Sequence, residues 1–317
     1  MIETVCPGRV RNKREGVKVI LRRKYPLQVA ISTIFIVISM ILGGILTWLS
    51  FSKTSEIMLD GANDLYERIT QELTLDFKAT YGSIAGGLRQ FRLSPVARGN
   101  TFDERIAYLP SFVAVLDSDS SIFSVGIGYG NGDYLGVSRA NSAHVRDKYQ
   151  VPKDAYYVAF YTKSEASEPG FATATRYAVY FDNEYREIER LAVEESSFDP
   201  RIRPWYQQAG DVPATTRPYV FYDSHVVGLT AMTRTEVPGA VVVFDITLEN
   251  LSQTIAKYQL TPNSEVALIN AEGETFAYKD QQKVVVKQSL SSENSNAELA
   301  ALKDLGSGVL SHISQTI

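Results

Sequence analysis

The sequence predicts an α+β chain, in which a transmembrane helix and a long stalk helix precede antiparallel-sheet domains. Three observations predict it. The segment 27–49, LQVAISTIFIVISMILGGILTWL, contains no charged residue. From 55 to 93, Ala62, Leu65, Ile69, Leu73, Phe77, Tyr81, Ile84, Leu88 and Phe91 recur at spacings of three and four with charge between them, the period of one helix face. Beyond about residue 120, runs of β-branched and aromatic residues are punctuated by Gly, Asn and Pro, the pattern of strands and turns.

A helix needs about 20 apolar residues to cross the hydrocarbon core, and 27–49 supplies them. A cleaved signal peptide is the competing reading, but its apolar region runs to only about 7–15 residues, and no small-x-small site follows here. Gly43-Gly44 is tolerable in a membrane helix, and Trp48 stands where an interfacial aromatic would. Arg9, Arg11, Lys13, Arg14, Lys18, Arg22, Arg23 and Lys24 precede the span, and Lys53 is the one base close behind it. The positive-inside rule then puts residues 1–26 in the cytoplasm as a basic tail, 27–51 in the membrane and the remainder outside. With eight bases and two acids, that tail carries about +6 of the formal charge of −4, so the exported part carries about −10. An acidic exterior argues against a nucleic-acid partner. The single cysteine, Cys6, lies in the tail, so the exported fold uses no disulfide.

The helix of 52–95 ends at Ser94-Pro95. Either the stripe is buried along the helix's own domain, or its half nearest the membrane packs on a second copy, giving a homodimer. "IFSVGIGYGNGDYLGVS" reads as strand, turn, strand, with Asn131-Gly132 as a two-residue turn that needs positive φ at both positions. Further strands are expected at 156–161, 176–181, 218–222, 226–234 and 240–246, and an amphipathic helix at 248–257. The stretch TPNS, 261–264, reads as a domain boundary. "SEVALINAEGETFAY" then echoes the earlier hairpin, with a helix expected at 296–305 and a strand at 308–314.

The segment FDPRIRPWYQQ, 198–208, concentrates costly side chains in a stiff backbone. Asp199-Pro200 starts a turn, since Pro fixes φ and the Asp carboxylate can bond the backbone beyond it. Pro204 holds Arg203 extended. Stiff segments suit binding sites, because groups already held in place lose less entropy on ligand arrival. The Arg203 guanidinium is a planar fork of donors that matches a carboxylate. Trp205 and Tyr206 offer apolar walls with polar tips.

Asp199, Pro200, Arg201, Arg203, Pro204, Trp205 and Tyr206 resemble the "DPRxRPWY" signature of double Cache domains, the extracytoplasmic sensors of bacterial receptors. "RPYVFYDSHVVGLTAMTR", "GAVVVFDITLENLSQ" and "VALINAEGETFAY" are similar to the family's succeeding strands, so the resemblance runs from about residue 55 to the end. It implies two PAS-like domains: a complete membrane-distal one over 96–260 and an incomplete membrane-proximal one over 261–317. It also implies a small polar ligand in the distal pocket, such as an amino acid or another carboxylate. Mapped by motif, Arg203, Trp205 and Tyr206 would hold the carboxylate and Tyr219 and Asp245 the ammonium. The family's amino-acid motif opens with Tyr, and here that position is Phe198. Asp199, Pro200 and Arg201 fit a scaffold role, and Asp245 could instead cap the helix that follows it. Relatives couple such sensors to a kinase, a chemoreceptor signalling domain, a nucleotide cyclase or an HD-GYP output, none of which is seen in this chain.

No cofactor, metal site or catalytic group is expected. His144, His225 and His312 lack metal-ligand spacing, and there is no HExxH or paired-Cys motif. Asp223, Ser224 and His225 are consecutive, whereas a triad is a three-dimensional arrangement. GIGYGNG sits in a hairpin rather than before a helix, which disfavours a phosphate loop. The alternatives to a sensor are a membrane-anchored extracytoplasmic enzyme and a ligand-free scaffold or adhesion module.

Overall fold

A computed structural model describes residues 26–141, 145–146, 149–165, 168–170, 174–222, 224–290 and 295–315. The basic tail, Cys6, His144 and Asp223 therefore lie outside the described residues. The chain divides into two units, Met1–Glu67 and Arg68–Ile317. In the first, helix α1 (Leu27–Phe91) begins, and its residues through Leu59 are exposed apart from a few half-buried ones. It is the one described helix long and apolar enough to cross a membrane. The expected membrane and stalk helices are thus one continuous element.

The second unit is built on a nine-stranded antiparallel sheet. Its strands are β1 (Ile122–Gly128), β2 (Tyr134–Arg139), β3 (Tyr157–Ser164), β4 (Ala174–Phe181), β5 (Glu187–Ser196), β6 (Ala214–Thr215), β7 (Tyr219–Val220), β8 (Val227–Arg234) and β9 (Val241–Thr247). The order is β5-β4-β3-β2-β1-β9-β8-β6, with β7 on β8. Because side chains alternate across a strand, the register sorts residues onto two faces. One cross-strand row, Val179–Ala159–Val137–Val125–Phe244–Ala231, is apolar and at most 1% exposed. It packs against α3 (Leu109–Ser118), which buries Leu109, Phe112, Val113 and Leu116, and against the end of α1, which buries Ile84, Ala85, Leu88 and Phe91. Phe91 meets Phe112 edge-on at 4.9 Å and Phe244 at 6.2 Å. Ile84, Leu88 and Phe91 are the last three apolar positions of the stripe read from the sequence. The short α2 (Phe102–Ile106) precedes α3.

Several local expectations change. Tyr129–Asp133 forms a longer turn than a two-residue hairpin, with Tyr129 N donating to Asp133 O. Gly132 alone of the Asn-Gly pair has positive φ, +89°, because Asn131 spends its side chain accepting from Asp133 N and donating to Asp133 Oδ2 instead. After α5 (Leu248–Ala256) come two small hairpins, β10 (Ala267–Ile269) with β11 (Thr275–Tyr278) and β12 (Val285–Leu290) with β13 (Ser295–Leu299). The helix expected at 296–305 is therefore a strand followed by a 3-10 turn at Leu302–Leu305. Helix-forming Ala, Glu and Leu yield there to pairing with β12, since tertiary context overrides propensity. The strand expected at 308–314 is helix α6 (Gly308–Ile313). Its start is set by Ser307, whose Oγ accepts from Leu310 N.

Candidate functional site

The opposite face of the sheet differs residue by residue from the helix-packed one. Shifted by a single position, the row Tyr180–Val158–Ser138–Ser124–Asp245–Thr230 runs over the same strands. Four of its six members are polar. Ser124 Oγ donates to Asp245 Oδ2 at 2.5 Å and Thr230 Oγ1 to Asp245 Oδ1 at 2.6 Å. The Thr230 hydrogen being committed, Tyr219 OH, 2.6 Å from Thr230 Oγ1, is the donor there. Asp245 is thus a carboxylate fed by hydroxyls on both oxygens. It does not cap α5; Thr247 does, its Oγ1 accepting from Asn250 N.

Toward the turn end of the same face, glycines replace side chains. A Cβ at Gly126 or Gly136 would lie 2.5–2.6 Å from the Tyr134 hydroxyl, and one at Gly128 would lie 2.6 Å from the Trp205 ring. The glycine-rich hairpin is therefore a floor that admits aromatic rings against the backbone. Tyr134 and Trp205 tilt together at 6.0 Å, and Phe198 stands edge-on to Tyr134 at 5.2 Å.

The segment 198–208 closes over this floor. Asp199 is fully buried. Its Oδ1 accepts from Arg201 N and Nε, and its Oδ2 from Arg201 Nη2 and Gly170 N, all within 3.0 Å. Burial pushes this carboxyl up, but the bonds from Arg201 and Gly170 outweigh it and hold the group below the usual range. Arg201 thus braces the loop. Arg203, two residues on, is extended before Pro204, with φ −78° and ψ 146°, and Pro204 opens the single-turn α4 (Pro204–Gln208). Arg203 is 3% exposed, and its guanidinium lies over the rings of Phe198 at 5.0 Å and Tyr222 at 4.9 Å. Arg176 of β4, also buried, lies over the same two rings at 5.3 and 5.5 Å.

Between sheet and loop is a cavity of about 50 Å³. Arg203, Trp205, Tyr219 and Asp245 all line it, so four of the five residues singled out from the sequence share one space. Tyr206 does not; its hydroxyl donates to Gly239 O at 2.7 Å, tying the loop to the β8–β9 turn. Burial raises the Tyr206 phenol above its ordinary value. Walls the sequence reading did not single out come from Ser124, Tyr134, Ser138, Tyr149 and Phe160, among others. At its present size the cavity has room for a few waters, so an organic ligand must displace wall side chains. Ser224 is buried at the wall and His225 is exposed. Among the described residues no group of His, Cys, Asp or Glu could hold a metal ion.

No family model matches the chain. Its sequence is 22% identical over 266 residues to "Adenylate cyclase 1" of Rhizobium meliloti, covering 80% of this chain. The chain spans only 38% of that relative's length. Among solved structures it is similar to the sensory domain of the Campylobacter jejuni chemoreceptor Tlp3, with TM-score 0.44, 20% identity, and 73% of this chain and 76% of that one covered. It is also similar to the ligand-binding domain of Pseudomonas fluorescens chemoreceptor CtaA in complex with L-valine, with TM-score 0.40, 14% identity, and coverage of 72% and 74%. The structural neighbours are chemoreceptor sensory domains.

Proposed function

We propose that this chain is the non-catalytic sensor region of a membrane-anchored receptor of double Cache type, and that its cavity binds a small zwitterion such as an amino acid. The observation that carries the reading is the cavity itself. A buried arginine and a hydroxyl-supported carboxylate line one space whose other walls are mostly aromatic. A guanidinium suits the carboxylate pole, an anionic Asp suits the ammonium, and the rings suit an apolar side chain that projects away from both.

In this reading Arg203 and Trp205 contact the carboxylate, Tyr219 and Asp245 serve the ammonium, and Tyr206 positions the loop. The apolar part of α1 spans the membrane with the N-terminus in the cytoplasm, and the part beyond it pairs in a homodimer. Ligand binding biases two arrangements of that dimer, which carries the signal inward. The division into a distal domain over 96–260 and a proximal one over 261–317 belongs to the same proposal. The match to a longer adenylate cyclase favours a nucleotide-cyclase output.

The test is the melting temperature of the full chain against a panel of amino acids, amines and organic acids, since a ligand of the folded state alone must raise it. A rise with amino acids that vanishes in Arg203→Ala is the expected result. A cooperative transition that no panel member moves would favour a scaffold module, and turnover of ester, phosphate or peptide substrates would favour an enzyme.

A further inference from the structure

Four hydroxyls among the described residues are buried without a hydrogen-bond partner: those of Ser121, Ser138, Thr162 and Thr275. Only Ser138 is on the cavity. It is 2% exposed, so its Oγ faces neither bulk solvent nor a protein partner. A buried polar atom of this kind carries a desolvation cost that a bound polar group would relieve.

Its place in the sheet says which group. Ser138 pairs with Ser124, and Ser124 with Asp245, so the three stand in one cross-strand row. Facing Cβ atoms on neighbouring strands are about 5 Å apart, close enough for one nitrogen to reach both serines. Ser124 gives its hydrogen to Asp245 and keeps lone pairs to accept with. The cationic end lies elsewhere. Arg203 shares its rings with Arg176, and Arg176 stands in the row of Thr162 and Tyr134. That row is four residues along β2 from Ser138, and Arg203 and Ser138 line one cavity.

We propose that Ser138 is a ligand contact whose hydroxyl accepts one N–H of a primary ammonium. Ser124 and Asp245 accept the other two, and the cavity thereby selects primary over N-alkylated amines. This rests on the zwitterion reading and assigns its ammonium pole a third acceptor. An N-methyl group replaces one donor with carbon and leaves one of the three acceptors unmet.

The experiment titrates L-valine, N-methyl-L-valine and 3-methylbutanoate against the full chain and its Ser138→Ala variant. The wild-type chain prefers L-valine to the N-methyl form. The variant loses roughly 10- to 100-fold in L-valine affinity, the size expected for one hydrogen bond to a charged group, narrows that preference, and leaves 3-methylbutanoate unchanged. The free variant melts no lower than the wild type, because alanine leaves no orphaned hydroxyl. Unchanged L-valine binding in the variant overturns the inference while the zwitterion reading stands. An equal loss for all three ligands also overturns it, showing that Ser138 acts through packing. Failure of the wild-type chain to bind L-valine or any other amino acid overturns the zwitterion reading and this inference with it.

Discussion

The two faces of the central sheet use the same strands one residue apart, and they are built to different ends. On one face Val125, Val137, Ala159, Val179 and Phe244 form a buried apolar row in the core with helices α1 and α3. On the other Ser124, Ser138, Thr230 and Asp245 take the corresponding places, and glycines at 126, 128 and 136 give up side-chain volume altogether. Close-packed apolar layers maximise stability. A layer holding a carboxylate, an orphaned hydroxyl and a cavity does not, and that contrast supports the proposal that ligand binds on this face.

The largest expected effect breaks the apolar face. Phe112→Ala should lower unfolding stability by about 3–5 kcal/mol, read by denaturant or thermal melts, since Phe112 is fully buried against Phe91. Where that variant is still folded, its ligand affinity should match the wild type; a selective loss of binding would erase the distinction between the faces.

Next is Asp199, which holds the loop over the other face without lining the cavity. Asp199→Ala removes one partner of a buried pair and should cost about 3 kcal/mol. The same pair gives the wild type an acid sensitivity. The folded-state pKa is depressed, so the stabilisation is present above the ordinary Asp range near 3.9 and is lost as pH falls through the lower folded value. A melting-temperature profile over that acidic window should be flatter in the variant. Equal slopes would place the acid sensitivity in other carboxylates.

The smallest effect sharpens the polar row. Tyr219→Phe deletes a donor to Thr230 and should change stability by only about 1 kcal/mol. In amino-acid titrations it should weaken binding while leaving des-amino acids alone. A larger stability loss than for Asp199→Ala would mean the hydroxyl chain is structural.

Elements with long periodicity were legible in the sequence. The charge-free run and the three-and-four stripe marked α1, and Leu88 and Phe91 reach the core as that stripe requires. Strands bounded by turn residues were also legible, whereas the segment 296–314 exchanged helix and strand because pairing and a Ser cap decided it. At the site, RPWY was legible as a motif, and the stiff Arg203-Pro204 step keeps its extended form. Ser124, Ser138 and Tyr134 were not singled out. Alternation assigns residues to faces, but only the register of three strands shows that Ser124 abuts Asp245, or that glycines 126 and 136 make room for Tyr134. Tyr206 illustrates the reverse, since its motif position gives no hint that its hydroxyl turns to Gly239.

The most direct test is an experimental structure of the chain with the amino acid that raises its melting temperature most. The account predicts the ligand between sheet and loop, its carboxylate on Arg203 and its ammonium on Asp245. A ligand bound elsewhere, or held in this cavity with its poles reversed, would contradict it.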